Sequence, residues 1–154
     1  MAKVIAVCRS DTKGVPKEDI KKGYFKEDYG LETDAHADCG SHRQTSLLDM
    51  SSIEKMKKLG LAIKPGDFAE NITTEGINLI SLPIGTRLHV GEGVLLEITQ
   101  IGKECHTGCA IFQKVGKCIM PKEGVFARVI KEGYIQSGDD IKVIDQNKAS
   151  KGKK

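Results

Sequence analysis

What this sequence lacks narrows its class before any motif is read. No segment approaches the run of about 20 apolar residues that a membrane helix requires, so no membrane partner is expected. The opening Val4-Ile5-Ala6-Val7 is too short for the apolar region of a signal peptide, and no cleavage signature follows it. Both absences point to the cytoplasm, where the five cysteines are expected as thiols. Their odd number leaves at least one unpaired in any disulfide scheme. An excess of one charge is missing as well: 24 Lys and Arg against 21 Asp and Glu give +3. Without the four lysines of the tail 146–154 the balance falls to about −1, too weak for a nucleic-acid footprint. That tail has no apolar residue to anchor it and is expected to be a disordered basic extension of a single domain over 1–145. No internal repeat and no linker divides the chain. What is present, 39% hydrophobic and 29% charged residues over 154 positions, is the composition of a globular protein. A chain of this length buries about two-thirds of its unfolded surface around one core.

Aromatics are scarce at 5% and glycine abundant at 17 residues, which suits many short strands joined by tight turns. Lys3 to Cys8 reads as a buried strand, Ser10 to Pro16 as a polar turn, and Lys17 to Lys22 as loop or a short strand. Gln44 to Leu48 reads as another strand. After it, Asp49 or Ser51 can cap a helix over Ser52 to Leu59, in which Ile53, Met56 and Leu59 recur at helical spacing and Gly60 supplies the stop. Further strands are expected at Phe68 to Thr73, Arg87 to Val90, Val94 to Thr99, Val125 to Ile130 and Ile141 to Ile144. Turn signals at Pro65-Gly66, Glu75-Gly76, Gly91-Glu92-Gly93 and Ser137-Gly138-Asp139 separate them. Such spacing argues for a mainly β protein, a barrel or folded sheet.

Three polar segments stand apart from this scaffold. The first, Gly30 to Gln44, gathers His36, Cys39, His42, Arg43 and Gln44 within nine residues. An arginine there can clamp a phosphate or carboxylate, and imidazoles can bind the same anion or a metal; a solvated polar loop is the other reading. In the second, Pro65 to Ile77, Asp67, Glu70 and Asn71 stand where a strand prefers Val or Ile. They are either turn formers or inward-facing site residues. The third, Thr99 to Cys109, brings Cys105, His106 and Cys109 out of the strongest strand into a glycine-containing loop. Lys103 is close enough there to favour a thiolate. Three residues separate the two cysteines, unlike the two-residue spacing of a zinc ribbon or thioredoxin-like site. Cys8, inside the first strand, and Cys118 are read as buried and inert.

At these residues the sequence resembles the MOSC family, the C-terminal domain type of molybdenum-cofactor sulfurases, in its short stand-alone bacterial branch. The matching stretches are Gly30 to Leu48, Pro65 to Ile80 and Gly85 to Gly108, continuing through Cys118 to Arg128 and Ser137 to Asp139. The resemblance implies a β-barrel-like fold with a few peripheral helices. It also implies a cysteine, here Cys105 five residues after Gln100, that binds molybdenum or carries sulfur as a persulfide. His36, His42, Arg43, Asp67, Glu70 and Asn71 are implied near the cofactor. Cys109 lies outside the family pattern and can resolve a persulfide by forming a disulfide. Thr33 stands where many relatives have glycine before Asp34-Ala35-His36, and a β-branched residue disfavours positive φ.

The resulting expectation is a module that binds molybdopterin or carries sulfur in cofactor maturation or metal–sulfur assembly, and whether it is itself an enzyme stays open. Its partners would be the molybdenum cofactor or the proteins that make it. No aminotransferase-like region precedes the module, so no pyridoxal-phosphate site is expected and a separate cysteine desulfurase would load Cys105. One alternative is a small molybdenum-dependent reductase of N-hydroxylated compounds, although no ferredoxin-type cysteine series supplies electrons. The other is a non-enzymatic zinc-binding module using His36, Cys39, His42, Cys105, His106 and Cys109.

Overall fold

In a computed structural model the described residues are 2–12, 17–35, 37–41, 44–58, 60, 63–68, 70–102 and 124–144. They form strands β1 (Ala2–Arg9), β2 (Glu18–Asp19), β3 (Lys22–Lys26), β4 (Gly30–Leu31) and β5 (Thr45–Asp49), then helix α1 (Met50–Lys57). Next come β6 (Ile72–Glu75), a 3-10 turn at Leu79–Ser81, β7 (Arg87–Val90), β8 (Val94–Ile101), β9 (Val125–Lys131), β10 (Gly133–Gln136) and β11 (Asp140–Ile144). Seven strands in the order β11-β7-β8-β9-β5-β6-β1 close into a barrel when Ala2 and Lys3 pair with Ile141 and Asp140. Closure pairs what would otherwise be two open sheet edges. β2 extends β1 at Cys8 and Arg9, and β10, β3 and β4 form a separate three-stranded sheet.

The barrel interior follows from two-residue alternation. In β8, Val94, Leu96 and Ile98 are buried while their neighbours are not, and Leu88 and Val90 repeat the pattern in β7. These side chains meet Val7, Leu47, Ile72 and Val129 in one core, filling the barrel rather than leaving a lumen. The small sheet contributes Phe25, Leu31 and Ile135 to the same core.

Within the barrel, β5 and β6 run parallel and every other neighbour pair runs antiparallel. A parallel pair needs a crossover of a dozen or more residues, and the stretch from Met50 to Asn71 supplies it. α1 opens that crossover. Asp49 caps it, its Oδ2 accepting from Ser51 N at 3.1 Å, and its Oδ1 also accepts from Thr74 Oγ1 at 2.7 Å. Ser52, Ile53 and Met56 form the buried face. Gly60, at φ 92°, donates to Lys57 O at 2.9 Å and turns the chain away. The helix starts two residues before its expected beginning, and the strand expected over Phe68 to Thr73 begins only at Ile72.

Candidate functional site

Glycine closes the neck of the first polar segment. Gly30 sits at φ 121°, and a Cβ on it would lie 2.4 Å from the carbonyl oxygen of Gln44. The two ends of the segment therefore touch through backbone, as in a compact Ω-loop. Gln44, fully buried, fixes that neck: its Oε1 accepts from Val129 N at 3.0 Å and its Nε2 donates to Asp28 Oδ1 at 2.9 Å. Arg128 Nη2 donates to the same Asp28 oxygen at 3.0 Å. These hydrogen bonds, Gln44 first, hold the Asp28 carboxyl below the usual carboxylate range.

Inside the loop, Asp34 is the anchor. Its Oδ1 accepts from Lys17 Nζ at 2.7 Å and from Ser10 N at 3.0 Å, and Ala35 N donates to Ser10 O at 2.9 Å. Both charged side chains are inaccessible to solvent. Burial lowers the Lys17 ammonium below the usual lysine range, and the hydrogen bond and charge of Asp34 oppose that shift. Directly before the anchor, Thr33 adopts φ 71°, and its carbonyl oxygen accepts from Arg9 Nε and Nη2 at 3.3 and 2.8 Å.

The second segment is a turn held by its own carboxylates. Asp67 Oδ2 accepts from Lys64 N at 3.0 Å and Oδ1 from Lys64 Nζ at 2.9 Å. Glu70 Oε2 accepts from Gly66 N at 2.8 Å and from Thr73 Oγ1 at 2.7 Å. Its other oxygen, Oε1, is buried and finds no partner among the described residues. Burial pushes the Glu70 carboxyl above the usual carboxylate range, against the hydrogen bonds that favour its charge. Asn71 joins three strands: its Oδ1 accepts from Ser46 N at 3.0 Å, its Nδ2 donates to Cys8 O at 3.1 Å, and Cys8 N donates to Asn71 O at 2.7 Å. Asp67 is thus a turn former, while Glu70 and Asn71 face inward, each spending hydrogen bonds on the scaffold.

The third segment is described from Thr99 to Gly102. Gly102 N donates to Gly124 O at 2.7 Å, closing the loop between β8 and β9. Lys103, Cys105, His106, Cys109 and Cys118 lie outside the described residues, as do His36, His42, Arg43 and the tail 146–154.

One row of the barrel locates the strand ends at which the polar segments enter or leave. Leu47 of β5 is in register with Ile72 of β6 on one side and with Val125 of β9 on the other. Strands lie about 4.8 Å apart, so Ile72 and Val125 are separated by roughly 10 Å. The first segment enters β5 at Thr45 and the second runs into β6 at Ile72, whereas the third leaves β8 at Ile101, which pairs with Val125. Because β6 runs parallel to β5, the first two segments meet at the start of these strands, whereas β9 runs antiparallel to β5 and the chain enters it from the Asp49 side of this row.

Sequence reasoning missed Lys17 and Ser46, the residues that bond these segments together. Neither carries a local signal, because what distinguishes them is a partner 17 to 25 residues away. Cys8 is fully buried, as its place in an apolar strand predicts, and burial followed by the charge of Glu70 pushes its thiol up. Cys39 is exposed, with its Sγ 3.8 Å from Asp28 Oδ2. Among the described residues no three His, Cys, Asp or Glu side chains are grouped to hold a metal ion, and no helix is long and apolar enough to cross a membrane. A cleft of about 630 Å³ lies between α1 and the 75–80 turn, and none of the site residues picked out in the sequence lines it.

The fold recurs in solved structures. The chain superposes on the YuaD protein from Bacillus subtilis with a TM-score of 0.78 at 20% identity, covering 94% of this chain and 97% of that one. YiiM from Geobacillus stearothermophilus gives 0.71 at 16% identity, covering 94% and 76%. YiiM from Escherichia coli gives 0.65 at 16%, covering 93% and 70%. No curated protein matches the sequence significantly. The family model of the MOSC domain matches residues 34–142, more than half of the chain, and so the chain belongs to the MOSC family, whose domains are associated with the molybdenum cofactor.

Proposed function

We propose that this protein binds the molybdenum cofactor or carries sulfur for it, with Cys105 as the reactive centre. The observation that supports this reading most is the meeting of the first two polar segments at the start of β5 and β6, where a buried carboxylate oxygen of Glu70 has no partner among the described residues. The donor set fits the group. A soft thiolate from Cys105 suits molybdenum, and Arg43 with His36 and His42 suits the pterin phosphate. When bound, the group supplies a soft metal centre at which a sulfur or oxygen atom is exchanged.

Asp67, Glu70 and Asn71 act mainly by holding the rim rigid, since most of their hydrogen bonds go to protein. Glu70 Oε1 is the polar atom of this trio left to meet a ligand or an ordered water. In the sulfur-carrier form of the reading, the Cys105 thiolate attacks the terminal sulfur of a desulfurase persulfide. One S–S bond forms as the donor's breaks, and the donor leaves as a thiolate, so no oxidant is consumed.

Metal and pterin analysis of the full chain purified without an affinity tag tests the proposal. Bound molybdopterin, or a persulfide on Cys105 after incubation with a cysteine desulfurase, is the expected result. Stoichiometric zinc, with neither of these, would overturn it.

A further inference from the structure

A lysine side chain is costly to bury, and Lys17 is buried completely in a place where three segments meet. Its Nζ donates to Asp34 Oδ1 at 2.7 Å and to Ser10 Oγ at 3.0 Å. Its backbone N–H donates to Gly66 O at 2.7 Å. Gly66, at φ 92°, comes so close that a Cβ on it would lie 2.3 Å from the Lys17 carbonyl oxygen. Lys17 thus bonds the first polar segment through its side chain and the second through its main chain.

Stability alone does not account for this arrangement. A buried ion pair is often matched or bettered by apolar residues of similar volume, because desolvating two charges offsets most of their attraction. What hydrogen-bonded charges supply and an apolar pair lacks is direction. The Asp34 carboxylate is held by Lys17 Nζ and by Ser10 N, and the next residue, Ala35, is held by Ser10 O. These bonds fix the chain immediately ahead of His36.

We propose that Lys17 is a positioning residue: with Asp34 it sets the 31–35 turn against the 63–68 turn, and thereby the course of the chain as it leaves Ala35. The proposal rests on the cofactor reading for the identity of the ligand, not for the positioning itself.

The test compares the full-length wild-type chain with the double variant Lys17→Met/Asp34→Leu, which removes both charges together. Hydrogen exchange over residues 31–41 and titration with isolated molybdopterin are the two readouts. The double variant is expected to unfold cooperatively. Its Ala35 and Ala37 amides should exchange at least about tenfold faster than in wild type, with the β8 amides unchanged, and its affinity should fall by about tenfold or more. Unchanged exchange over 31–41 in the folded double variant overturns the proposal. So does an equal acceleration in β8, which would make the pair merely structural. Should the double variant fail to fold, Lys17→Met, which removes the ammonium but leaves Asp34 its bond from Ser10 N, is read by the same two exchange criteria. A wild-type chain that does not bind molybdopterin defeats the cofactor reading, while the exchange measurement still decides the positioning role.

Discussion

Replacing Thr33 by glycine is expected to stabilise the protein, against the usual direction of a change to glycine. Thr33 holds φ at 71°, where the Cβ of an L-residue crowds the backbone and a β-branched side chain is an outlier. That crowding costs roughly 1–2 kcal/mol, and glycine removes it. Against it stands the extra freedom of glycine in the unfolded chain, about 0.4–1 kcal/mol. Little else is lost, since the Thr33 side chain is exposed and the bonds from Arg9 go to its carbonyl oxygen, which glycine retains. The net expectation is a gain of about 0.5–1 kcal/mol, or a rise of about 1–4 °C in Tm for a chain of this size. Urea unfolding at constant slope measures the gain, with Thr33→Ala as the control that keeps a Cβ but loses the branch. The expected order of stability is glycine above alanine above threonine. Should alanine prove the more stable of the two, the left-handed conformation is not the one the loop holds in solution, and the strain argument fails.

Glu70→Gln isolates the buried carboxyl. A folded pKa raised above its unfolded value gives stability that is present at low pH and lost as pH rises through the folded pKa, so the variant's advantage over wild type should grow as pH rises above the usual carboxylate range; an advantage independent of pH would refute this. Asp49→Ala removes the cap of α1 and the acceptor for Thr74 Oγ1, and should lower the urea midpoint by the equivalent of about 2–3 kcal/mol. Arg43→Ala should weaken molybdopterin binding by about 1.5–3 kcal/mol with unchanged thermal stability, and equal affinity in a titration would remove Arg43 as the phosphate clamp. Under limiting iodoacetamide at neutral pH, peptide mass spectrometry should find Cys105 alkylated well before Cys8, whose thiol burial holds in its neutral form; equal rates would remove Cys105 as the reactive centre.

The sequence reading found strands where each carries several alternating apolar residues. β7 matches its expected limits, and β8, β9 and β11 differ from theirs by one or two residues. β10, β3 and β4 went unread because each contributes only one or two buried side chains, too few to define a period. The start of β6 was placed four residues early for a different reason. Phe68 is buried like a strand residue, but the Asp67 and Glu70 carboxylates bond nearby backbone N–H groups and hold the chain in a turn. Residue type alone marked Asp67, Glu70 and Asn71 as unusual. Whether each formed a turn or faced inward depended on partners such as Ser46, Gly66 and Cys8, which local sequence does not reveal.

The parallel pair explains why those partners come together at all. Had β6 followed β5 through a hairpin, it would have run antiparallel, and the residues before it would have lain at the far end of β5. Because β6 runs parallel, the crossover must return to the end where β5 begins, and its last residues arrive beside the neck formed by Gly30 and Gln44. β1, antiparallel to β6, ends at that same place, so the chain beyond Arg9 brings Ser10 and then Lys17 between the two segments. A single choice of strand direction thus gathers three stretches distant in sequence, and closure of the barrel through β1 and β11 makes their common support rigid. It follows that variants which loosen this closure should disturb the loop over 31–41 even when they touch none of its residues, whereas changes at the exposed Glu54–Lys57 pair on the outer face of α1 should not.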